Sequence, residues 1–399
     1  MGPLSTLFAK ISGDKTLWAL VAFIAAYSFL PVYSSSSNLA YVANTGSTTT
    51  HLFKHAAMLA IGFGIMFAVH RVPLNYFKGL SFLGMPIIIL LLAVTLTQGS
   101  TIDGANASRW IKIPGIGLSF QTSTLALVVT MVYVARYLSK LRDTKISFAS
   151  SLVPLWLPVV TVVGLIFPAN LSTALMIFML VMLLLFVGGY PLKYLVVMTT
   201  IGAAAGALFI ILAMNFPDMF PNRVDTWVSR IESFSSDEIT EADYQVQRAK
   251  TAIATGGIFG LGAGKSVMKN FLPQSSSDFI FAIIVEEYGM VFAGFLVLLY
   301  LLVLLRIVLI SYNAPTAFAK LLVIGLGLPI VFQAFINMGV AVALLPVTGQ
   351  TLPLISSGGT SIWMTCLALG MILSASRKDQ PSPAEQDSDH PLNVLSEEV

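Results

Sequence analysis

Long apolar runs separated by short polar segments dominate the pattern of this chain. A helix of about 20 apolar residues is long enough to cross the hydrocarbon core of a bilayer. Ten windows of this kind predict an all-α polytopic membrane protein with ten transmembrane helices. A Phe-Pro-Ala-Asn break at 167–170 separates the fifth window from the sixth, since one fused helix would be too long for a bilayer. The predicted spans are 17–35, 53–70, 79–98, 116–137, 149–167, 171–188, 192–214, 279–305, 318–345 and 353–375.

The composition of the chain supports a membrane location. Hydrophobic residues make up 56% of the sequence and charged residues only 10%, whereas an ordinary soluble domain carries about 25% charged residues. The single cysteine, Cys366, lies inside an apolar window, which excludes disulfides and thiolate metal sites as organising features. We expect no nucleic-acid partner and no certain cofactor.

Lysine and arginine are distributed unevenly among the short loops, which predicts the orientation. With the N-terminus inside, the inner segments hold 13 Lys and Arg residues, and the short outer loops hold only Lys54, Arg109 and Lys112. The positive-inside rule therefore places both termini in the cytoplasm. The one long loop, 215–278, between helices 7 and 8, then lies outside the cell. Residues 1–376 form the membrane domain, and the polar, acidic residues 377–399 are expected to be a disordered cytoplasmic tail.

Asp278 stands where the outer loop meets an apolar helix, in LPQSSSDFIFAIIVEEYG. The residues alone favour a helix cap, because Ser-Ser-Ser-Asp before an apolar run is typical of a helix start. A second interpretation is a base that takes a proton from a sugar hydroxyl of a lipid-anchored substrate. On one continuous helix, Glu286 and Glu287 would lie about 12 Å deeper, at 1.5 Å per residue. We expect those two carboxylates to bond to neighbouring helices rather than to react.

The outer loop also contains candidate anion contacts. Gln245 lies on a predicted short amphipathic helix, and a glycine-rich stretch follows at 256–264. That stretch lacks the spacing of a nucleotide-binding phosphate loop, because Phe259 replaces the first required glycine. Its backbone amides, with Lys265 and Lys269, could instead meet a pyrophosphate, although a flexible linker explains the glycines equally well.

Two further segments near the outer surface are candidates for substrate contact. Arg109 precedes a tryptophan, so it is either an interfacial anchor or a phosphate contact. Residues 337–359 contain two clusters of helix breakers, more than a tight turn between helices requires. Irregular backbone at membrane depth is tolerated where it is buried in protein or lines a cavity. We therefore predict a substrate-lining role here for Thr348, Ser356, Ser357 and Gly358.

These segments resemble the SEDS family, the shape, elongation, division and sporulation proteins, over nearly the whole chain. The most specific signatures are LPxxxxDFIFAxxxEExG at 272–289 and NxGVAxxLLPVTGQTLPLISSGGTS at 337–361, and GAxxxRWI-x-IP-x-IG at 104–117 is a third. Within the family the chain is closer to the septal FtsW branch than to the RodA branch. The Gly-Asp-Lys start at 13–15 and the loop from Arg230 to Phe234 favour that branch.

The resemblance implies a peptidoglycan glycosyltransferase of the bacterial cytoplasmic membrane at the division septum. It would polymerise lipid II onto a glycan linked to undecaprenyl pyrophosphate. The implied partners are a class B penicillin-binding protein and other membrane proteins of the division complex. The family's essential aspartate falls on Asp278, and its arginine positions fall on Arg109 and Arg230. A divalent cation, Mg²⁺ or Mn²⁺, is compatible with this chemistry, and its ligands are unknown.

The chain departs from the family pattern at the start of the fourth span. Members usually carry QPSE-x-x-K there, whereas this chain has Thr124 in place of the Glu and Leu127 in place of the Lys. Asn170 stands near a position where many members have Asp. An expected charged pair is thus absent. Either neighbouring charges compensate, or this copy is impaired or regulated differently.

Two rival functions are compatible with ten spans. A flippase for the lipid-linked precursor predicts ionisable residues at mid-bilayer along a path, whereas most of these spans have none. A catalytically weak scaffold would recruit division partners through its helices and tail. A RodA-like elongation enzyme is the alternative branch within the family.

Overall fold

The computed structural model describes residues 11–42, 48–98, 101–102, 105–106, 110–112, 119–141, 147–215, 241–272 and 275–377. Two of the predicted substrate contacts, Arg109 and Arg230, lie outside these residues. So do residues 216–240 of the long loop and the tail from residue 378 onward.

Apolar helices make up most of the described part. Eight are long and apolar enough to cross a membrane, and two apolar helices are shorter. The protein is therefore a multi-pass membrane protein. With one amphipathic helix, α8, the helices are α1 Lys15–Val42, α2 Thr48–Val69, α3 Leu74–Gln98, α4 Thr122–Lys140, α5 Phe148–Ile166, α6 Leu171–Val187, α7 Leu192–Asn215, α8 Glu241–Gly256, α9 Ile280–Asn313, α10 Ala317–Ala341 and α11 Gly359–Ala375.

The predicted break between the fifth and sixth spans is present. Helix α5 ends at Ile166, and α6 begins at Leu171. Asn170 caps α6, because its side-chain oxygen accepts a hydrogen bond from the Thr173 amide at 3.2 Å. A capping side chain satisfies one of the amides that a helix start leaves unpaired. This residue, singled out as a departure from the family pattern, therefore has a local structural role.

Several predicted helix boundaries differ from the structure. The window 116–137 starts too early, because Ser119–Gln121 (β4) pairs antiparallel with Trp110–Lys112 (β3), and that backbone is extended. A second short hairpin pairs Thr101–Ile102 (β1) with Ala105–Asn106 (β2). The window 318–345 runs too far, because Ala343 adopts a left-handed conformation with φ of 59° just after α10 ends.

Helix α10 lies at the centre of the bundle and packs against α4, α6, α9 and α11. Helix α2 packs mainly on α11, and α1 packs on α2 and α9. Amphipathic α8 lies against α9, which places residues 241–256 of the long loop against the helix that follows Asp278. In contrast, α7 contacts α6 only sparsely and leaves most of its surface exposed.

Helix α9 is broken near its start. Gly289 has φ of 77° and ψ of 177°, a conformation that essentially only glycine adopts. The part before Gly289 is buried almost completely, and the longer part after it is largely exposed. Glu286 and Glu287 lie before this break. The expectation that they share one continuous helix with Asp278 is wrong, since the helix begins at Ile280 and Asp278 precedes it.

The start of α1 and the end of α11 lie at the same end of the bundle. The Asp14 carboxylate forms an ion pair with Arg306 of α9, and the Asp14 amide donates to the Ser376 hydroxyl at 2.8 Å. The predicted window ended at residue 305, just before this arginine. Helix α9 continues to Asn313, because Asp14 neutralises the charge of Arg306 within the protein. Near this end, Arg377 also donates to the Arg71 carbonyl at 3.0 Å.

Candidate functional site

Asp278 lies in a turn at residues 275–279, which we call the Asp278 segment. Helix α9 begins at Ile280 with Phe279 at the N-cap position, and no side chain caps it. The capping interpretation is therefore not supported, because Asp278 lies outside the cap position. Asp278 as a whole is half-buried.

The backbone of the Asp278 segment is bound to the loop that joins α10 to α11. The Ser356 hydroxyl donates to the Ser277 carbonyl at 2.6 Å, and the Ser357 amide donates to the Ser276 carbonyl at 3.0 Å. The Ser356 hydroxyl also accepts from the Leu352 amide at 2.8 Å. These contacts fix the backbone of Ser276 and Ser277, and a contact from α10 fixes that of Asp278.

Asn337 of α10 makes that third contact. Its side-chain Nδ2 donates to the Asp278 carbonyl at 2.8 Å and to the Gln350 carbonyl at 2.7 Å. Both amide hydrogens are thus used, which fixes the orientation of the side chain and leaves its buried Oδ1 without a hydrogen-bond partner. Sequence reasoning did not select Asn337 as an individual site residue. An amide inside a largely apolar predicted span was the available signal.

Gly349 brings the second loop close to the carboxylate. It has φ of 68°, and a Cβ atom added there would lie 3.5 Å from Oδ2 of Asp278. The adjacent Gln350 donates from Nε2 to the Thr173 hydroxyl of α6 at 2.9 Å. The loop is therefore held from α6 and α10, and its backbone at Gly349 lies close to the Asp278 carboxylate.

The other predicted residues of this loop have different surroundings. Ser356 is buried at 2% exposure and bonds to backbone, so it positions the Asp278 segment rather than facing a substrate. Ser357 exposes its side chain, and Gly358 is half-buried at the N-cap of α11. The Thr348 hydroxyl is buried and has no hydrogen-bond partner. The structure thus brings this predicted region together with Asp278.

The glycine-rich stretch is held in place rather than flexible. The amides of Leu261 and Gly262 donate to the carbonyls of Glu286 and Glu287, both at 2.9 Å. The Gly264 amide donates to Oε2 of Glu287 at 3.1 Å. The hypothesis that free amides of this stretch bind a pyrophosphate is therefore wrong for these three amides, because each already has an acceptor within the protein.

The two candidate lysines, Lys265 and Lys269, differ in exposure. Lys265 is exposed. Lys269 is buried at 7% exposure, and its Nζ donates to the Gly264 carbonyl at 2.8 Å and to the Ser34 hydroxyl at 3.4 Å. Of the pair, Lys265 is accessible to an anionic ligand, whereas Lys269 is engaged inside the loop. Gln245 is half-buried on α8.

In the residues the structure describes, no three His, Cys, Asp or Glu side chains cluster as metal ligands. His55, which has metal-ligand spacing from His51, is buried and lies with Nε2 at 2.8 Å from the Ser28 hydroxyl. That contact joins α2 to α1.

Comparison with known proteins identifies the family. The model of the FtsW, RodA and SpoVE cell cycle proteins matches residues 14–381 of the chain. The chain belongs to this family. The match begins at Asp14, which caps α1, and ends just past α11. The family model therefore covers every described helix of the bundle.

Curated FtsW relatives match along nearly the full length. The chain is 31% identical to the probable peptidoglycan glycosyltransferase FtsW of Halomonas elongata, over 92% of this chain and 93% of that protein. It is 30% identical to the FtsW of Coxiella burnetii, over 92% of this chain and 97% of the relative. Both values support the predicted FtsW branch.

Solved structures of the family have the same fold. One is a chain from a structure that concerns the structural coordination of polymerization and crosslinking by a peptidoglycan synthase complex. It aligns with a TM-score of 0.69 at 28% identity and covers 92% of this chain and 99% of that one. The rod shape determining protein RodA of Thermus thermophilus aligns with a TM-score of 0.65 at 27% identity, over 92% and 97% of the two chains.

The two residues that depart from the FtsW and RodA pattern line a small cavity. Thr124 and Leu127 of α4 line a space of about 30 Å³ between α4, α10 and α11, beside Gln333 and Ser361. None of the described residues lining this cavity is charged. Neighbouring charges within its lining therefore do not compensate for the missing pair. Gln333 donates to the Thr351 hydroxyl at 3.1 Å, which connects this wall to the loop beside Asp278.

Proposed function

We propose that this chain is a septal peptidoglycan glycosyltransferase that polymerises lipid II, with Asp278 as its general base. Membership of the FtsW and RodA family gives the reaction class, and relatives named peptidoglycan glycosyltransferase support it. The observation that carries the residue assignment is the anchoring of the Asp278 segment. Asp278 is half-buried, its segment is hydrogen-bonded to the loop that joins α10 to α11, and its carboxylate lies close to Gly349 of that loop.

In the proposed reaction the acceptor is lipid II, and the donor is a glycan chain on undecaprenyl pyrophosphate. The 4-hydroxyl of the acceptor GlcNAc attacks the anomeric carbon of the donor, with inversion to a β-1,4 bond. Asp278 takes the hydroxyl proton as the new bond forms. The pyrophosphate leaves with the electron pair of the broken bond. It needs no general acid, in contrast to the leaving oxygen of an inverting glycosidase.

Positive charge is the remaining requirement, since a pyrophosphate carries several negative charges. Lys265 is exposed, and Arg109 and Arg230 are proposed to contribute from outside the described residues. A divalent cation would supply further positive charge when bound. Oxygen donors suit Mg²⁺ or Mn²⁺, and two unpartnered buried oxygens, Asn337 Oδ1 and Thr348 Oγ1, belong to the residues around the Asp278 segment.

The proposed topology has ten spans with both termini in the cytoplasm, and Asp278 at the outer surface. The joined ends of α1 and α11 support an even number of crossings. In this arrangement residues 1–376 form the membrane domain, the loop 215–278 is extracytoplasmic, and 377–399 form the tail. The location we propose is the bacterial cytoplasmic membrane at the septum.

The proposed partner is a class B penicillin-binding protein, with other division-complex membrane proteins. The similarity to a peptidoglycan synthase complex that couples polymerization to crosslinking supports this. No crosslinking activity is assigned to this chain itself.

Polymerisation of fluorescent lipid II by the purified chain, reconstituted with the cognate class B protein, tests the function. The proposal predicts glycan polymer that a muramidase digests. Movement of lipid II between leaflets without polymer would support the flippase instead. Neither polymer nor movement, from a complex that remains assembled, would support the scaffold.

A further inference from the structure

Two buried carboxylates next to the site have no part in the proposed reaction. Glu286 and Glu287 are each 1% exposed, at the end of the first part of α9. Burying a carboxylate is costly unless hydrogen bonds or opposite charges compensate it. The bonds that these two side chains accept therefore show which part of the protein they organise.

The Glu286 side chain binds the chain that leads into the Asp278 segment. Its Oε1 accepts from the amides of Val267 at 3.0 Å and Met268 at 3.2 Å. Its Oε2 accepts from the Ser266 hydroxyl, which in turn accepts from the Lys269 amide at 3.1 Å. Glu286 thus ties residues 266–269, before the Asp278 segment, to the helix after it.

The Glu287 side chain fixes the same loop to α1. Its Oε1 accepts from the Ser266 amide at 3.0 Å and from the Ser34 hydroxyl, and its Oε2 accepts from the Gly264 amide. Lys269 reaches the same hydroxyl of Ser34 and brings a positive charge to this carboxylate pair. The base of the loop is therefore anchored to the bundle as well as closed on itself.

Backbone contacts complete this anchor. The carbonyls of Glu286 and Glu287 accept from the glycine-rich stretch. A Cβ atom on Gly260 would lie only 2.2 Å from the Glu287 carbonyl oxygen. Such close approach of two backbones requires glycine. The residues from 266 to 287 thus form a loop that is closed at its base by two carboxylates.

We propose that Glu286 is a positioning residue for Asp278. Asp278 lies near the middle of the closed loop, whose far side is held by Asn337 and Ser356 and whose base is held by Glu286. Both anchors are needed because a segment fixed at one side only can shift its carboxylate. A misplacement of about 1 Å can cost about a hundredfold in rate. This inference rests on the proposed function and adds the residue that holds the base in place.

The test compares Glu286→Ala with Glu286→Gln in the full chain with its class B partner. Glutamine keeps Oε1 as the acceptor of the Val267 and Met268 amides, and its Nε2 can donate to the Ser266 oxygen. Alanine leaves those three donors unpaired. We expect Glu286→Ala to lower kcat for lipid II polymerisation about 10- to 100-fold with KM changed less than about threefold. We expect Glu286→Gln to stay within about threefold of the wild type in kcat, because the conservative change retains the loop contacts.

Hydrogen exchange separates positioning from general loss of structure. In Glu286→Ala the amides of Val267 and Met268 should exchange faster, while those of α10 and α11 remain as protected as in the wild type. Unchanged kcat in Glu286→Ala, beside an active wild type, would overturn the inference alone. Faster exchange throughout α10 and α11, with activity lost in proportion to folded protein, would also overturn it. An assembled wild type that makes no polymer would contradict the proposed function instead.

Discussion

At the scale of single residues, the proposed site depends on how one amide holds the backbone beside one carboxylate. Both hydrogens of Asn337 Nδ2 are committed, one to the carbonyl of Asp278 and one to the carbonyl of Gln350. Because these carbonyls belong to different loops, a single side chain sets the distance between the two walls of the site. Gly349 then allows the second wall to approach the carboxylate.

Asn337→Ala should impair polymerisation strongly while leaving the bundle assembled. The change leaves the buried carbonyl of Gln350 and the partly buried carbonyl of Asp278 without this donor, at about 1–3 kcal/mol for a buried unsatisfied group. We expect polymer yield to fall at least tenfold at equal amounts of folded protein. Asn313→Ala is the matched control, because Asn313 also donates to a carbonyl, that of Leu309, but is exposed at the other end of α9. Equal activities of the two variants would show that Asn337 does not position the site.

At the scale of elements, the bend in α9 connects the outer loop to the membrane bundle. Helix α9 would be continuous if Gly289 adopted helical dihedral angles. The backbone hydrogen bonds between residues 257–262 and residues 286–291 would then be lost. The Met290 amide donates instead to the Gly257 carbonyl at 3.0 Å, outside the helix. A glycine with positive φ therefore determines where the loop lies relative to the spans.

Gly289→Ala should release the loop from α9. Its Cβ atom would lie 2.2 Å from the Ile258 carbonyl oxygen, and its φ is unfavourable for alanine, so we expect a cost of about 3 kcal/mol or more. Limited proteolysis between residues 256 and 270 measures the release. Gly294→Ala on the same helix has nothing within 4 Å of the added atom and should stay as resistant as the wild type. Wild-type resistance in Gly289→Ala would contradict the argument.

At the scale of the whole molecule, three parts of the chain meet near Asp14. Its carboxylate accepts from the Leu17 amide at 2.7 Å as the cap of α1, and it also pairs with Arg306 of α9. Its own amide donates to Ser376 beyond α11. This contact closes the bundle at the end where the first helix begins and the last helix stops.

Asp14→Ala should lower the midpoint of thermal unfolding by a few degrees. The variant loses both a helix cap and a partly buried ion pair, together about 1–3 kcal/mol. Asp14→Ser retains a capping oxygen without the charge and should recover part of the loss. Activity per folded molecule should be unchanged in both variants, because this cluster lies among helix ends remote in sequence from the Asp278 loop. An unchanged midpoint in Asp14→Ala would show that the contact does not stabilise the bundle.

The apolar pattern predicted the positions of the helices well, because membrane spans need long apolar runs whatever their partners are. It missed the end of α9, since the pairing of Arg306 with Asp14 is a tertiary contact. The family motif singled out Asp278 as the candidate base, whereas the Ser-Ser-Ser-Asp run alone favoured a helix cap. Asn337 and the acceptor roles of Glu286 could not be predicted, because their partners lie in segments that are distant in sequence.

The central claim is that Asp278 performs the chemistry of lipid II polymerisation. Its most direct test is the polymerisation rate of Asp278→Asn in the reconstituted complex, beside the wild type and the remote variant Asp14→Asn. Asparagine is nearly isosteric but cannot accept the hydroxyl proton. We therefore expect the polymerisation rate to fall at least about a hundredfold, which is the contribution of general-base catalysis. Asp14→Asn should polymerise at the wild-type rate per folded molecule. Polymer from Asp278→Asn at the wild-type rate would contradict the assignment of Asp278 as the base.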